Sequence, residues 1–206
     1  MYIPSHFKND DATEVRDFLS KNSFGILISQ ADARLWATHI PLELDKNENG
    51  QDILTGHISK GNPQWKNFAD NSGVLAIFPG PHSYISSSWY DHENVPTWNY
   101  IAVHIYGKIK IMEGEKLLSA LTKIVHKYEA GSAKPVSVEN MSEQYLHKQI
   151  NGIVGFEIEI DEIQPAYKLS QNRDAVNHTN ITNELEKKGD YHSLSVAEAM
   201  KKHKKK

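Results

Sequence analysis

The sequence predicts an α+β protein, a small antiparallel six-stranded barrel with flanking helices. Three observations point there. Short segments of alternating apolar residues recur between turn residues, the first two forming an apparent hairpin at Phe24–Ile28 and Arg34–Ile40. One long segment, Trp98–Met112, carries two chemically different faces at period two. The helical patterns are short and lie at the edges of these strands. A chain of 206 residues with 24% charged and 39% hydrophobic residues suits a single soluble domain with an appendage. The expected division is 1–170 for the barrel and 171–206 for a C-terminal helical extension with a lysine-rich tail.

The elements follow in order. Met1–Phe7 is an extended arm, with Pro4 keeping its neighbour out of helix. Asp11 reads as the N-cap of a helix ending near Asn22, with Glu14 three residues on and Val15, Phe18 and Leu19 on one face. The hairpin comes next, and Asp45–Gly50 reads as a turn before a third strand at Ile53–Ile58. Asn62 and Pro63 open a short helix that contains Trp65 and Phe68 and stops at Asn71–Gly73. Val74–Phe78 is an apolar strand running into a proline-rich loop, Pro79–Ser86. The long strand places Ile101, Val103, Ile105, Gly107, Ile109 and Ile111 toward a core. Its other face presents Trp98, Tyr100, Ala102, His104, Tyr106, Lys108 and Lys110. Rings with polar edges on that face fit a cover of flat polar ligand or a second subunit. Glu115–Tyr128 is an amphipathic helix, Ser142–His147 a short one, and Val154–Ile163 a last strand closed by Pro165. A helix from Asp174 to Lys188 follows. Ser195 with Glu198 reads as a capping box for the final helix.

Composition excludes several classes. With no cysteine there are no disulfides, thiolate nucleophiles or iron–sulfur clusters. No apolar run approaches the roughly 20 residues that span a bilayer, and no signal sequence opens the chain, so a cytoplasmic protein without membrane contact is expected. The net charge of −3 includes the tail Lys201–Lys206, which carries five positive charges, so the rest of the chain is more acidic than the total. Such a body is a poor general polyanion binder, and any nucleic-acid contact rests on a local patch or on the tail.

No glycine-rich dinucleotide or phosphate loop, HExxH motif or nucleophile elbow is present. His39, His57 and His104 fall in strands, but their spacing carries no metal signature. A flat phosphorylated ligand fits better, since it needs an aromatic wall, a few hydrogen bonds at its edge, and cations with hydroxyls at its phosphate. His57, Ser59 and Lys60 sit at a strand end. Lys168 and Arg173 bracket Ser170, Gln171 and Asn172, and the Trp98 face supplies a wall.

Five blocks appear in order: His39–Leu42, Gly56–Ile58 with Asn62–Trp65, Phe78–Ser86, Val95–Tyr100 with Val103–His104, and Lys168–Asn172. Together they closely resemble the PaiB-like family of FMN-binding negative transcriptional regulators, from Met1 to the last helix. The resemblance implies an FMN-binding split barrel in which two subunits build flavin sites at a homodimer interface. It also implies repression of transcription, with DNA or another regulator as partner. By position Ser59 and Lys60 take the phosphate role, and Tyr84, Ser86, Trp98, Asn99 and Tyr100 are carried over as ligand or interface residues. His57, Lys168, Gln171 and Arg173 complete the expected FMN site. The alternative function is an FMN-dependent oxidoreductase with an unknown small-molecule substrate.

Overall fold

The computed structural model describes residues 1–31, 34–68 and 72–204. Asp32 in the expected hairpin turn, Asn71 at the expected helix stop, and Lys205 and Lys206 of the tail lie outside them. Two compact units are formed. One comprises Met1–Phe18, Phe78–His104 and Gln164–Lys206, and the other Leu19–Ile77 and Ile105–Ile163.

The second unit is organised by the sheet. Its strands are β1 (Phe24–Ala31), β2 (Arg34–Pro41), β3 (Glu43–Lys46), β4 (Asp52–Ser59), β5 (Ser72–Ile85), β6 (Thr97–Met112) and β7 (Ile153–Lys168), of which the last three continue into the first unit. They hydrogen-bond in the order β2-β1-β5-β6-β7-β4-β3. The hairpin is in register from Phe24 opposite Pro41 to Ala31 opposite Arg34, and β4 pairs antiparallel with both β3 and β7. Alternation buries Leu27, Leu54, Ile105, Ile109, Phe156 and Ile158 completely, and Phe68 meets the Phe156 ring edge-on at 5.3 Å. Gly107 lets β6 pack closely against β7. A Cβ there would lie 2.2 Å from the Glu159 carbonyl oxygen. The helices α2 (Gly114–Glu129) and α3 (Glu143–Ile150) complete this unit, α3 being capped by the Ser142 hydroxyl.

In the first unit α1 (Ala12–Lys21) starts where Asp11 Oδ1 accepts the amides of Thr13 and Glu14 at 2.9 and 3.1 Å. α4 (Ala175–Lys188) is capped by Asp174 and ends on Gly189 at φ +71°. α5 (Tyr191–Lys202) packs on α4 through Ile181, Leu185, Val196, Ala197 and Met200, all fully buried.

The observed elements depart from expectation in identifiable places. Among the described residues there are seven strands, because Asp45 and Lys46, read as turn, pair with Ile53 and Asp52 before the chain reverses. The proline-rich stretch is the outer half of β5, not a loop. β1 is registered only against Val74–Ile77, so Pro79 and Pro81 fall where no ladder with β1 requires their missing N–H groups. Pro165 likewise lies inside β7, beyond the Ile153–Glu159 segment paired with β4, and its carbonyl accepts the Asn9 amide at 3.3 Å. The helix at Asn62 is a single 3-10 segment, Pro63–Asn67. Ile111 is exposed and Met112 buried, so the alternation of β6 slips by one residue at its end. Ser195 and Glu198 are interior residues of α5, whose cap is Asp190, accepting the Ser193 amide at 3.0 Å. The left-handed Gly189 turns the chain so tightly that the next helix begins immediately.

Candidate functional site

The expected site residues fall into three groups. The first lies at the ends of β5 and β6. Trp98 is 52% exposed and Tyr84 42%, and their rings meet edge-on at 5.9 Å. His82 lies 6.0 Å from Trp98 and 4.4 Å from His192 of α5. Tyr100 and His104 continue this face and are half-buried. Burial, with the chain's amino terminus second, holds the His104 imidazole below the ordinary histidine range, and its Nδ1 is buried without a hydrogen-bond partner among the described residues. Ser86 caps a short 3-10 turn, accepting the Ser88 amide at 3.2 Å.

The second group gathers where β7 leaves the sheet. Asn99 occupies the opposite face of β6 from Trp98, with no exposed surface, and its Nδ2 donates to Ser170 Oγ at 2.9 Å and to Met200 Sδ at 3.4 Å. It touches the fold and not the solvent. Ser170 is itself buried and holds φ +60°, the only non-glycine residue with positive φ among those described. Around it Gln171 Oε1 accepts the Leu169 amide at 2.8 Å, and the Arg173 amide donates to the Ser170 carbonyl at 3.0 Å. This tight turn brings Lys168 within reach of the Arg173 charge. The Lys168 ammonium donates to the Thr97 hydroxyl, and the Arg173 guanidinium lies 5.1 Å over the Tyr90 ring. Burial, and after it the positive charge of Arg173, lowers the Lys168 pKa. Neither cation has an ion pair among the described residues. Thr97 is not among the residues the sequence singles out here, and Ser170 is named only as one of those that Lys168 and Arg173 bracket. Thr97 shares the Asn99 face by simple alternation, which is a legible signal, whereas the positive φ of Ser170 has none in the sequence.

The third group belongs to the second unit. His57 faces Leu117, Ala120, Leu121 and Ile124 of α2 around a narrow void, and burial lowers its pKa. Ser59 and Lys60 are exposed at the end of β4, where Ser59 Oγ accepts the Gly61 amide at 3.3 Å and the Lys60 carbonyl accepts the Trp65 indole N–H at 3.0 Å. A larger cavity in this unit, about 400 Å³, lies between β3, β4 and α2. Asp45, Glu48, Glu115, Glu157 and Glu159 line it, and its lysines are taken by pairs such as Lys116–Glu48 at 2.9 Å and Lys123–Asp45 at 2.5 Å. So many carboxylates repel a phosphate dianion, and the cavity does not fit a flavin phosphate.

The comparisons with known proteins agree on what kind of chain this is. The sequence profile described as "Putative FMN-binding domain" matches residues 1–162. The "Protease synthase and sporulation protein PAI 2" of Bacillus subtilis is 44% identical over 200 residues, covering 97% of this chain and 96% of that one. This chain belongs to the PaiB-like family of FMN-binding proteins. An uncharacterized protein of Emericella nidulans is 28% identical over 83% of this PaiB-like chain and 84% of its own length. Among solved structures, an FAD and heme binding protein from Mycobacterium smegmatis superposes with a TM-score of 0.62 at 13% identity, covering 85% of this chain and 79% of that one. The flavocytochrome Anf3 of Azotobacter vinelandii gives 0.59 at 14%, covering 81% and 72%. At such identity the shared property is the fold, the split barrel expected from the sequence.

FMN is the family's cofactor, and the residues present fit it. Lys168, Arg173 and the Thr97 hydroxyl form a half-buried cationic turn in which neither cation is ion-paired among the described residues, which suits a phosphate monoester. The exposed Trp98 and Tyr84 rings offer apolar area of the kind a flat ring system or a second subunit covers.

Proposed function

We propose that this protein is a homodimeric FMN-binding negative regulator of transcription, in which Lys168 and Arg173 receive the flavin phosphate and the Trp98 face meets the second subunit. Its high identity to a Bacillus protein named for protease synthesis and sporulation supports a regulatory role of the same kind. The observation that carries the ligand half is the Lys168–Arg173 turn, whose cations have no ion pair among the described residues. Two adjacent cations held by a tight turn have a standing electrostatic cost, which a dianion removes. Bound FMN supplies redox chemistry of its own, while the chain's residues bind and orient it.

Lys60 is the competing phosphate contact, exposed and with Ser59 beside it. Comparing Lys60→Ala with Lys168→Ala decides between them. Loss of a charge-assisted contact of about 1.5–3 kcal/mol weakens FMN binding roughly ten- to hundredfold. The fall is expected in Lys168→Ala, and a fall confined to Lys60→Ala would move the phosphate to the β4 end. For the regulatory half, a gel-shift titration against the protein's own upstream DNA at low salt is expected to show a shift that weakens as salt rises. No binding at low salt would count against direct repression.

A further inference from the structure

From the buried bonding of Asn99, we infer that this residue is a positioning strut for phosphate selectivity, which acts by holding Ser170 in its left-handed conformation and so fixing Lys168 against Arg173. The inference rests on the proposed phosphate site at that pair. Asn99 has no exposed surface, so it cannot touch a bound flavin; its reach ends at Ser170 and Met200. The two side chains bond reciprocally, since Asn99 Nδ2 donates to Ser170 Oγ at 2.9 Å and, with the hydroxyl proton turned the other way, Ser170 Oγ donates to Asn99 Oδ1 at 3.2 Å.

A serine at φ +60° is disfavoured and persists where surrounding structure over-determines it. Here three hydrogen bonds do so: the bond from Asn99, the Arg173 amide to the Ser170 carbonyl at 3.0 Å, and the Leu169 amide to Gln171 Oε1 at 2.8 Å. The consequence is spatial. With the turn closed, Lys168 is tied to Thr97 and Arg173 is laid over Tyr90, near enough for the Arg173 charge to act on the Lys168 ammonium. If Ser170 relaxes to an extended conformation, the Arg173 amide loses its carbonyl and the two charges separate, as their mutual repulsion favours. The strut therefore bears on the charged end of a ligand and not on its ring. It is the kind of residue that tells a phosphorylated flavin from its dephosphorylated form.

The test measures dissociation constants of FMN and of riboflavin for the full chain and its variants, among them the Asn99→Ala/Ser170→Gly double variant, by flavin fluorescence quenching, with thermal unfolding alongside. Ser170→Gly tolerates φ +60° but removes the hydroxyl, Asn99→Ala removes the strut, and Lys168→Ala reports on the phosphate site itself. Expected are a five- to tenfold weakening of FMN, about the worth of one buried hydrogen bond, in both Ser170→Gly and Asn99→Ala, with riboflavin unchanged. The double variant is expected to be no weaker than Asn99→Ala alone, because both changes cut one link. If Ser170→Gly and Asn99→Ala lower the melting temperature but keep the parent's FMN-to-riboflavin ratio while Lys168→Ala collapses it, the strut is merely structural and the inference is overturned. If Lys168→Ala also keeps the ratio, the phosphate site is elsewhere and the proposed function's ligand half fails first. Should Asn99→Ala not fold, Ser170→Gly against Ser170→Ala decides alone. Alanine, which lacks both the hydroxyl and glycine's freedom at positive φ, must then be the weaker FMN binder, and equal ratios overturn the inference.

Discussion

Replacing Glu14 with glutamine should loosen the C-terminal segment, and its size can be worked from the contacts. The Glu14 carboxylate, 13% exposed, accepts from Asn9 Nδ2 at 2.7 Å, Lys202 Nζ at 2.6 Å and His203 Nε2 at 3.0 Å. Through these bonds the first part of the lysine tail is folded onto α1, and Lys201 is likewise paired with Glu186 at 2.5 Å. Among the described residues the tail is thus a helix end with partners and not a free basic arm. The Lys202 side chain is 65% exposed, so its pair contributes only about 0.5 kcal/mol. The better-shielded bonds from Asn9 and His203 bring the total to about 1–2 kcal/mol. For a chain of this size that is a fall of roughly 2–8 °C in melting temperature at neutral pH. Burial pushes the Glu14 pKa up, but the bonds from Lys202, Asn9 and His203 together outweigh it, and the net shift is downward from 4.5. A carboxylate with a depressed folded-state pKa contributes stability above its unfolded value, and that contribution disappears as pH falls through the folded value. The deficit of Glu14→Gln should therefore be full at pH 7 and shrink below about pH 4.5. Thermal unfolding followed by circular dichroism across that range, with limited trypsin digestion at Lys201 and Lys202, measures both effects. Equal melting temperatures at pH 7, or a deficit that persists unchanged to about pH 3, would refute the reasoning.

Trp98→Ala removes a half-exposed ring from the proposed subunit interface. A hot-spot loss of about 2 kcal/mol should weaken the dimer roughly thirtyfold, visible by analytical ultracentrifugation, and an unchanged association constant would place the interface elsewhere. Gly107→Ala drives a methyl group to 2.2 Å from the Glu159 carbonyl oxygen, a backbone atom that cannot swing away. A destabilisation of about 3 kcal/mol, read as a shifted denaturant midpoint, is expected, and a neutral effect would show that β6 and β7 separate easily.

Much of this structure is visible in the residues, and what is not has physical causes. Period-two counting places Ile101, Val103, Ile105 and Ile109 inside because a half-buried strand must alternate, and all four are buried. The same counting puts Asn99 with them. Its block resemblance favoured a ligand contact, but its register already pointed inward. The two prolines of β5 and Pro165 of β7 read as strand ends, because a missing N–H counts against a strand only where a neighbour would use it. Which neighbour is present depends on sheet order, and that is not local information. The start of α5 is not legible from Ser195 and Glu198, because a serine–glutamate spacing inside a helix looks the same as one at its start. The cap is decided by the left-handed Gly189 just before it. That Lys168 and Arg173 bracket Ser170, Gln171 and Asn172 is plain from their spacing. The buried turn between them, with Ser170 at its centre, depends on residues 71 positions apart along the chain.

The proposed site holds a flavin by its phosphate. The most direct measurement is a fluorescence titration of the purified protein with FMN and, separately, with riboflavin. Micromolar binding of FMN with riboflavin at least about tenfold weaker is the predicted result. Failure of FMN to bind at micromolar concentration, or equal affinity for the two flavins, would contradict it.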